Sequence, residues 1–313
     1  MRAFGFREAA EFWRVAADPE LAFRLHALTG GTPEYKDLCG GVGPRSLADF
    51  DDWVRLRLLD PAGPMFREGR LPPSEGTPVT DRASYASVLG AISAGAARPA
   101  EIAAALGRPD VAVADLLGAL AGLGLIERLQ DPLNVERRVC VIVKPIVRLN
   151  QLVIAPNEPE LAAGQASRVW AQSQPTVTAR IYRPHFASVA RQWCLRHADK
   201  GTLGGVARGA RVTGIGCREH QQEHELEAVV VEDPVATGRI AAIGETNAAG
   251  GPMDAAQLRW LEHLRGLLPS ARVGQPPKLL LFSRTGFNPG LTEEAIGRPD
   301  VELVSLDRIY GGA

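Results

Sequence analysis

A multidomain α/β protein is the fold class this sequence predicts, and three observations predict it. The chain has 313 residues, against roughly 150 per domain, so two or three domains are expected. Apolar residues make up 45% and charged residues 23%, enough for cores of ordinary size. The hydrophobic period also changes along the chain. It is helical at first, and after about Leu149 it alternates between the helix and strand periods.

The first region covers 1–80. Apolar residues recur at helical spacing at Phe6, Ala9, Ala10 and Trp13, then at Leu21, Leu25 and Leu28, and later at Leu47, Phe50, Val54 and Leu58. Asp18-Pro19 separates the first two helices, and Thr29-Gly30-Gly31-Thr32-Pro33 ends the second. Between Asp60 and Thr80 stand Pro61, Pro64, Pro72, Pro73 and Pro78. That density predicts a linker, or an arm lying on a partner.

The second region covers 81–147. Helical patterns run over 83–94, 99–106 (with Pro99 in its first turn) and 111–123, where Gly124 stops the helix. Strand patterns follow at 125–129 and 139–143, around a turn at Asp131-Pro132. Three helices and a hairpin in that order make a winged helix-turn-helix. A helix that reads the major groove needs cationic or amide side chains. The third helix reads VAVADLLGALAGL and has none, and residues 83–144 carry six basic and six acidic groups. Base reading is therefore disfavoured. Leu116, Leu117 and Leu120 are expected under other protein, with Val113 at the margin. Gly118, Gly122 and Gly124 are expected to allow close packing or to end the helix. Arg137 and Arg138 in the wing are the candidates for contact with nucleic-acid backbone.

The third region covers 148–313. A helical stretch at 186–197 precedes strands near 211–215, 225–232 and 240–245. A helix at 254–268, a strand at 278–282, a short helix near 292–296 and a strand at 301–306 complete it. This order predicts an α/β sandwich with a mixed sheet.

Several phrases resemble one family in register. Leu28-Thr29-Gly30-Gly31-Thr32-Pro33-Glu34-Tyr35 is similar to a segment of the helical lid of archaeal-type AAA/STAND ATPases. Tyr85–Ile92 resembles the start of the winged helix that follows that lid. Arg183-Pro184-His185-Phe186, Glu225-Leu226-Glu227, Gly244-Glu245 and Leu281–Phe287 are similar to landmarks of the family's C-terminal PD-(D/E)XK nuclease-like domain. The resemblance implies a helical lid remnant, a winged helix and a restriction-endonuclease-like α/β sandwich. On this resemblance the chain would begin inside the lid. It contains no G-x-x-x-x-G-K-[ST], and Gly40-Gly41-Val42-Gly43-Pro44-Arg45-Ser46 lacks the lysine. That stretch reads as a loop between lid helices, and ATP binding by the chain alone is not expected.

The resemblance also implies where a nuclease-like site would lie. Such sites hold Mg²⁺ on two carboxylates, with a lysine stabilising the developing charge. Glu227 stands where the first acid belongs, and Glu245-Thr246-Asn247 stands for E-x-K. Strand period puts Glu245 and Asn247 on one face, but an amide cannot supply the charge of an ammonium. A helix glutamate expected after Phe186 is Ala187 instead. Glu227, Glu245 and Asn247 are thus the candidate catalytic set, with Glu227 and Glu245 as Mg²⁺ ligands on neighbouring strands. The plainer reading is two solvated carboxylates. Lys278 and Arg259 could replace the missing lysine, although a strand edge and a solvated helix face explain them more simply.

Cys217-x2-His220-x3-His224 has a zinc-like spacing. Strand alternation would send 217 and 220 to opposite faces, and no fourth ligand is evident, so a polar hairpin tip is the favoured reading. Thirty-five basic against 36 acidic residues give a formal charge of −1, which excludes a protein basic overall. Four scattered cysteines, Cys39, Cys140, Cys194 and Cys217, argue against a disulfide framework and fit a reducing cytoplasm. No stretch reads as a signal peptide or a membrane span. The expected function is a non-catalytic or weakly catalytic member of the ATPase–nuclease-like family. It would act through a protein partner, either an ATPase core or a second copy, and on nucleic-acid backbone. The alternatives are a Mg²⁺-dependent nuclease using Glu227 and Glu245, and a scaffold for a separately encoded ATPase core.

Overall fold

The computed structural model describes residues 3–70, 79–134, 136–233, 238–248 and 250–311. Pro72, Pro73 and Pro78 of the expected linker lie outside them. The chain forms two compact units, 1–129 with 138–182, and 130–137 with 183–313.

The first unit opens with helices α1 (Phe6–Trp13), α2 (Pro19–Thr29), α3 (Glu34–Leu38), α4 (Leu47–Arg57) and α5 (Met65–Glu68). Asp18 caps α2 by accepting from the Leu21 N–H, with Pro19 at the first helical position. Ser46 caps α4 in the same way, through the Asp49 N–H, so the glycine-rich 40–46 stretch is the connection into that helix. Trp13 packs edge-on against Trp53, with ring centroids 5.9 Å apart. Next come α6 (Val79–Ala94), α7 (Pro99–Leu106) and α8 (Asp110–Gly122), then a two-stranded sheet of β1 (Ile126–Gln130) and β2 (Arg138–Ile142).

Val113, Leu117 and Leu120 of α8 are buried with Val88, Leu89, Ile92, Ile102, Leu125 and Cys140. The apolar side of α8 therefore fills its own unit's core. Val113 is fully buried rather than marginal, and Leu116 is only half-buried. Gly118 and Gly122 face open space, with nothing within 4 Å of an added Cβ. Close packing does not explain them. Gly124, at φ +66°, does take the left-handed conformation that ends the helix.

The first unit runs past 147, where the sequence pattern suggested a boundary, as far as Tyr182. Helix α9 (Pro145–Leu149) leads through a π-helical turn at Asn150–Ile154 to α10 (Glu158–Ala162) and α11 (Ala166–Thr176). Pro175 withdraws a backbone N–H from α11, and a second π-helical turn, Val177–Tyr182, follows at once. Phe23 of α2 meets Tyr182 at 5.7 Å between ring centroids, and the Trp170 indole N–H donates to Asp51 at 2.8 Å. These contacts join 145–182 to the first helices.

The second unit comprises α12 (Arg183–Arg196), α13 (Lys200–Leu203), β3 (Gly209–Cys217), β4 (Gln222–Val231), β5 (Ile240–Asn247), α14 (Ala255–Gly266), β6 (Lys278–Ser283), α15 (Pro289–Ala295), β7 (Val301–Ser305) and α16 (Leu306–Gly311). The sheet order is β3-β4-β5-β6-β7, antiparallel over the first three strands and parallel over the last three. The expected mixed sheet is present. Trp193 of α12 packs on Phe282, whereas Leu281 joins Leu258, Leu261 and Leu264 of α14. Successive residues of a strand point to opposite faces, so α12 and α14 cover opposite faces of the sheet. The hairpin tip 130–137 belongs to this unit: buried Asp131 accepts from the Thr213 hydroxyl, and Arg272 donates to the Pro132 carbonyl at 3.0 Å. Among the described residues, no helix is long and apolar enough to cross a membrane.

Candidate functional site

Glu227 lies at an irregularity in β4. Thr213 pairs with Leu226 and Arg211 with Val229, so Glu227 and Ala228 both stand opposite Val212. This is a β-bulge, which locally re-aims side chains. On the other edge of β4, Ala228 pairs with Gly244 of β5. One step further along the two strands, Glu227 and Glu245 occupy neighbouring positions. Gly244 leaves room at this rung, since an added Cβ would come within 3.0 Å of the Phe282 ring.

The Glu227 side chain is buried and surrounded by donors. Its Oε2 accepts from the Thr246 backbone N–H at 2.9 Å and from the Thr246 hydroxyl. The Arg183 guanidinium stands 3.7 Å from Oε1, and Arg191 donates to the Glu227 carbonyl oxygen at 2.6 Å. Both arginines belong to α12. Glu245 is treated differently. Burial first, and then the Glu227 charge, push its carboxyl up to about 8, with Arg183 opposing the shift. Its Oε2 is buried, with no hydrogen-bond partner among the described residues. Near neutral pH this group is mostly protonated, which is how two crowded carboxyls avoid carrying two charges.

The other sequence candidates are distributed around the molecule. Asn247 donates its side-chain amide to the Gly251 carbonyl at 3.0 Å. Ala187 is buried on α12. Lys278 is paired with Glu302 at 3.1 Å and Arg259 with Glu294 at 3.6 Å, so neither takes the place of the missing lysine. Arg137 is ion-paired with Glu223 in the second unit. Arg138 is exposed at the first residue of β2, in the first unit. Arg183 is the site residue the sequence reading missed as a charge. It stood inside a phrase noted only for its resemblance, and nothing local shows that α12 brings it to Glu227.

The Cys217 region departs from the alternation argument. β3 ends at Cys217 and β4 starts at Gln222, so 218–221 is a turn, with Gln221 at φ +52°. The turn folds His220 back until its Nδ1 lies 3.2 Å from the Cys217 Sγ. His263 of α14 joins them, with its Nε2 3.3 Å from the same sulfur. His224 lies beside this group, not in it. No protein-family model, curated protein or solved structure matches the chain.

Proposed function

We propose that the chain is a non-catalytic or weakly catalytic member of the ATPase–nuclease-like family it resembles, acting through protein partners. The observation that carries this reading is the self-contained state of the carboxylate pair. Mg²⁺ requires ionised oxygens with free lone pairs. Glu227 already accepts two hydrogen bonds from Thr246 and faces the Arg183 cation. With no cation beside it, burial and the Glu227 charge raise the Glu245 carboxyl, so the pair favours carrying a proton over a second charge. These residues fit Mg²⁺ poorly, and among the described residues the cation paired with them is Arg183.

The order α6-α7-α8-β1-β2 supports reading that segment as a winged helix. The mixed sheet with α12 and α14 on its two faces supports reading the second unit as PD-(D/E)XK-like. The core role of Val113, Leu117 and Leu120 favours a wing that contributes structure over one that reads bases. Arg138 remains available for nucleic-acid backbone. A second reading, a Mg²⁺-dependent nuclease, draws on one observation: the partnerless Glu245 Oε2 is a place where a cation could sit.

Cleavage assays separate the two. Plasmid and single-stranded DNA, and RNA, are incubated with the native chain, Glu245→Ala and Asn247→Lys in Mg²⁺ and in Mn²⁺. Cutting by the native chain should be undetectable or very slow, because loss of one preorganised electrostatic group typically costs ~3–4 kcal/mol in the barrier. Asn247→Lys should gain little while Glu245 keeps its proton. Robust native cutting that disappears in Glu245→Ala would install the nuclease reading.

A further inference from the structure

Three of the chain's six histidines, a buried cysteine and a tryptophan gather where the β3–β4 hairpin tip meets α14. The register explains how. Ile215 pairs with His224 and Cys217 with Gln222. Cys217 is two residues beyond Ile215, so both lie on the face that packs on α14. From α14, Trp260 and His263 are one helical turn apart. Trp260 stacks on His263 at 5.4 Å and meets the edge of His224 at 4.6 Å.

Within this group the Cys217 Sγ lies beside the His220 Nδ1 and the His263 Nε2, and one ligand atom from each of the three residues lies within 4.8 Å of the other two. We propose that Cys217, His220 and His263 bind a zinc ion that clips the hairpin tip to α14.

Ligand lengths of ~2.3 Å to sulfur and ~2.0–2.1 Å to nitrogen, at the tetrahedral angle, put sulfur and nitrogen roughly 3.6 Å apart. The two separations here are 3.2 and 3.3 Å. A movement of a few tenths of an ångström opens the cluster to an ion. Hydrogen bonding accounts for the cluster less well. A thiol has one proton and can donate it to one ring nitrogen at a time, and sulfur is a weak acceptor for the other. One cation satisfies all three atoms together. Thiolate with imidazole is a ligand set suited to Zn²⁺ rather than Mg²⁺.

The surroundings point the same way. The Glu219 carboxylate stands 3.9 Å from the His263 Nδ1, the ring nitrogen opposite the proposed ligand atom. A carboxylate there favours the tautomer with its proton on Nδ1, which leaves Nε2 free to ligate. One thiolate and one nearby carboxylate also balance the two charges of zinc. His224 has a buried Nε2 with no hydrogen-bond partner among the described residues. The turn 218–221 is exposed and gives the ion a way in. Three protein ligands leave a fourth position for water.

The test uses the full chain, reduced and stripped of metal, with zinc titrated against a chromophoric chelator. One Zn²⁺ per chain is expected. Co²⁺ in its place should give thiolate-to-cobalt absorption. Cys217→Ser and His263→Ala should weaken zinc by ~100-fold or more, and Glu219→Gln by ~10-fold, the lower end of the range for outer partners. Exposed His220→Ala leaves the core intact and so keeps the test decisive if a buried variant fails to fold. It too should weaken zinc by ~100-fold, and its melting temperature should not rise with zinc as the native chain's does. His197→Ala, also exposed, should bind like the native chain. Absence of saturable zinc binding, or binding undiminished in Cys217→Ser and His220→Ala, would overturn the proposal and leave a hydrogen-bonded cluster only.

Discussion

Strand β4 borders two polar clusters three residues apart, and the protein satisfies them in different ways. At Glu227 the partners are built in: the Thr246 N–H and hydroxyl on β5, and Arg183 from α12. Beside His224 the ligand atoms of Cys217, His220 and His263 face one another. A carboxylate pair that holds its own donors, and puts a proton on its second member, has little use for a divalent ion. A thiol between two imidazoles lacks an equivalent internal solution. Two acids on adjacent strands suggest a metal centre from sequence alone. In three dimensions the better-formed ligand set is the one the strand period argued against.

The largest effect that could break this comparison is on pH stability. The Glu245 carboxyl rises from an ordinary 4.5 to about 8 on folding. The folded state therefore binds the extra proton, and stability contributed below about pH 4.5 is lost as pH climbs through 8. At ~1.4 kcal/mol per unit over that rise, the loss is roughly 5 kcal/mol at most. Glu245→Gln cannot ionise. In denaturant melts between pH 5 and 9 it should lack this slope, and at pH 9 it should be more stable than the native chain. Equal slopes in the two proteins would remove the proton from the account.

A smaller effect sharpens the same side. Thr246→Val deletes the hydroxyl donor to Glu227 while keeping the β-branched shape. A hydrogen bond to a charged group contributes about 1.5–3 kcal/mol, so urea unfolding should show a loss in that range. Zinc affinity at the His263 cluster should be unchanged, because the Thr246 hydroxyl serves Glu227. A loss of zinc affinity in this variant would mean the two clusters are coupled.

Local signals made much of the fold legible. Pro19 after Asp18, Pro99 at a first turn and Gly124 in the left-handed region marked helix ends that the structure keeps. The five strands of the mixed sheet were readable as apolar runs between turn residues. Residues 145–182 were not, since two π-helical turns and Pro175 break the helical period there. The final helix at Leu306–Gly311 was hidden behind the strand it follows. Glu227 and Glu245 could be placed on adjacent strands, but the bulge at Glu227–Ala228 and the approach of Arg183 depend on packing. The Cys217–His220 approach was misread because a strand period was extended through a turn. His263 is 46 residues from Cys217, and the available sequence clue is only a histidine three residues after a tryptophan on a helix.

The titration of Glu245 itself tests most directly whether the carboxylate pair is a self-contained group rather than a metal centre. With the carboxyl carbon followed by ¹³C NMR, the midpoint should lie near 8. Millimolar Mg²⁺ should leave it where it is. A midpoint in the ordinary carboxylate range, or a fall of more than about one unit when Mg²⁺ is added, would contradict the account, since a bound divalent cation favours the charged carboxylate.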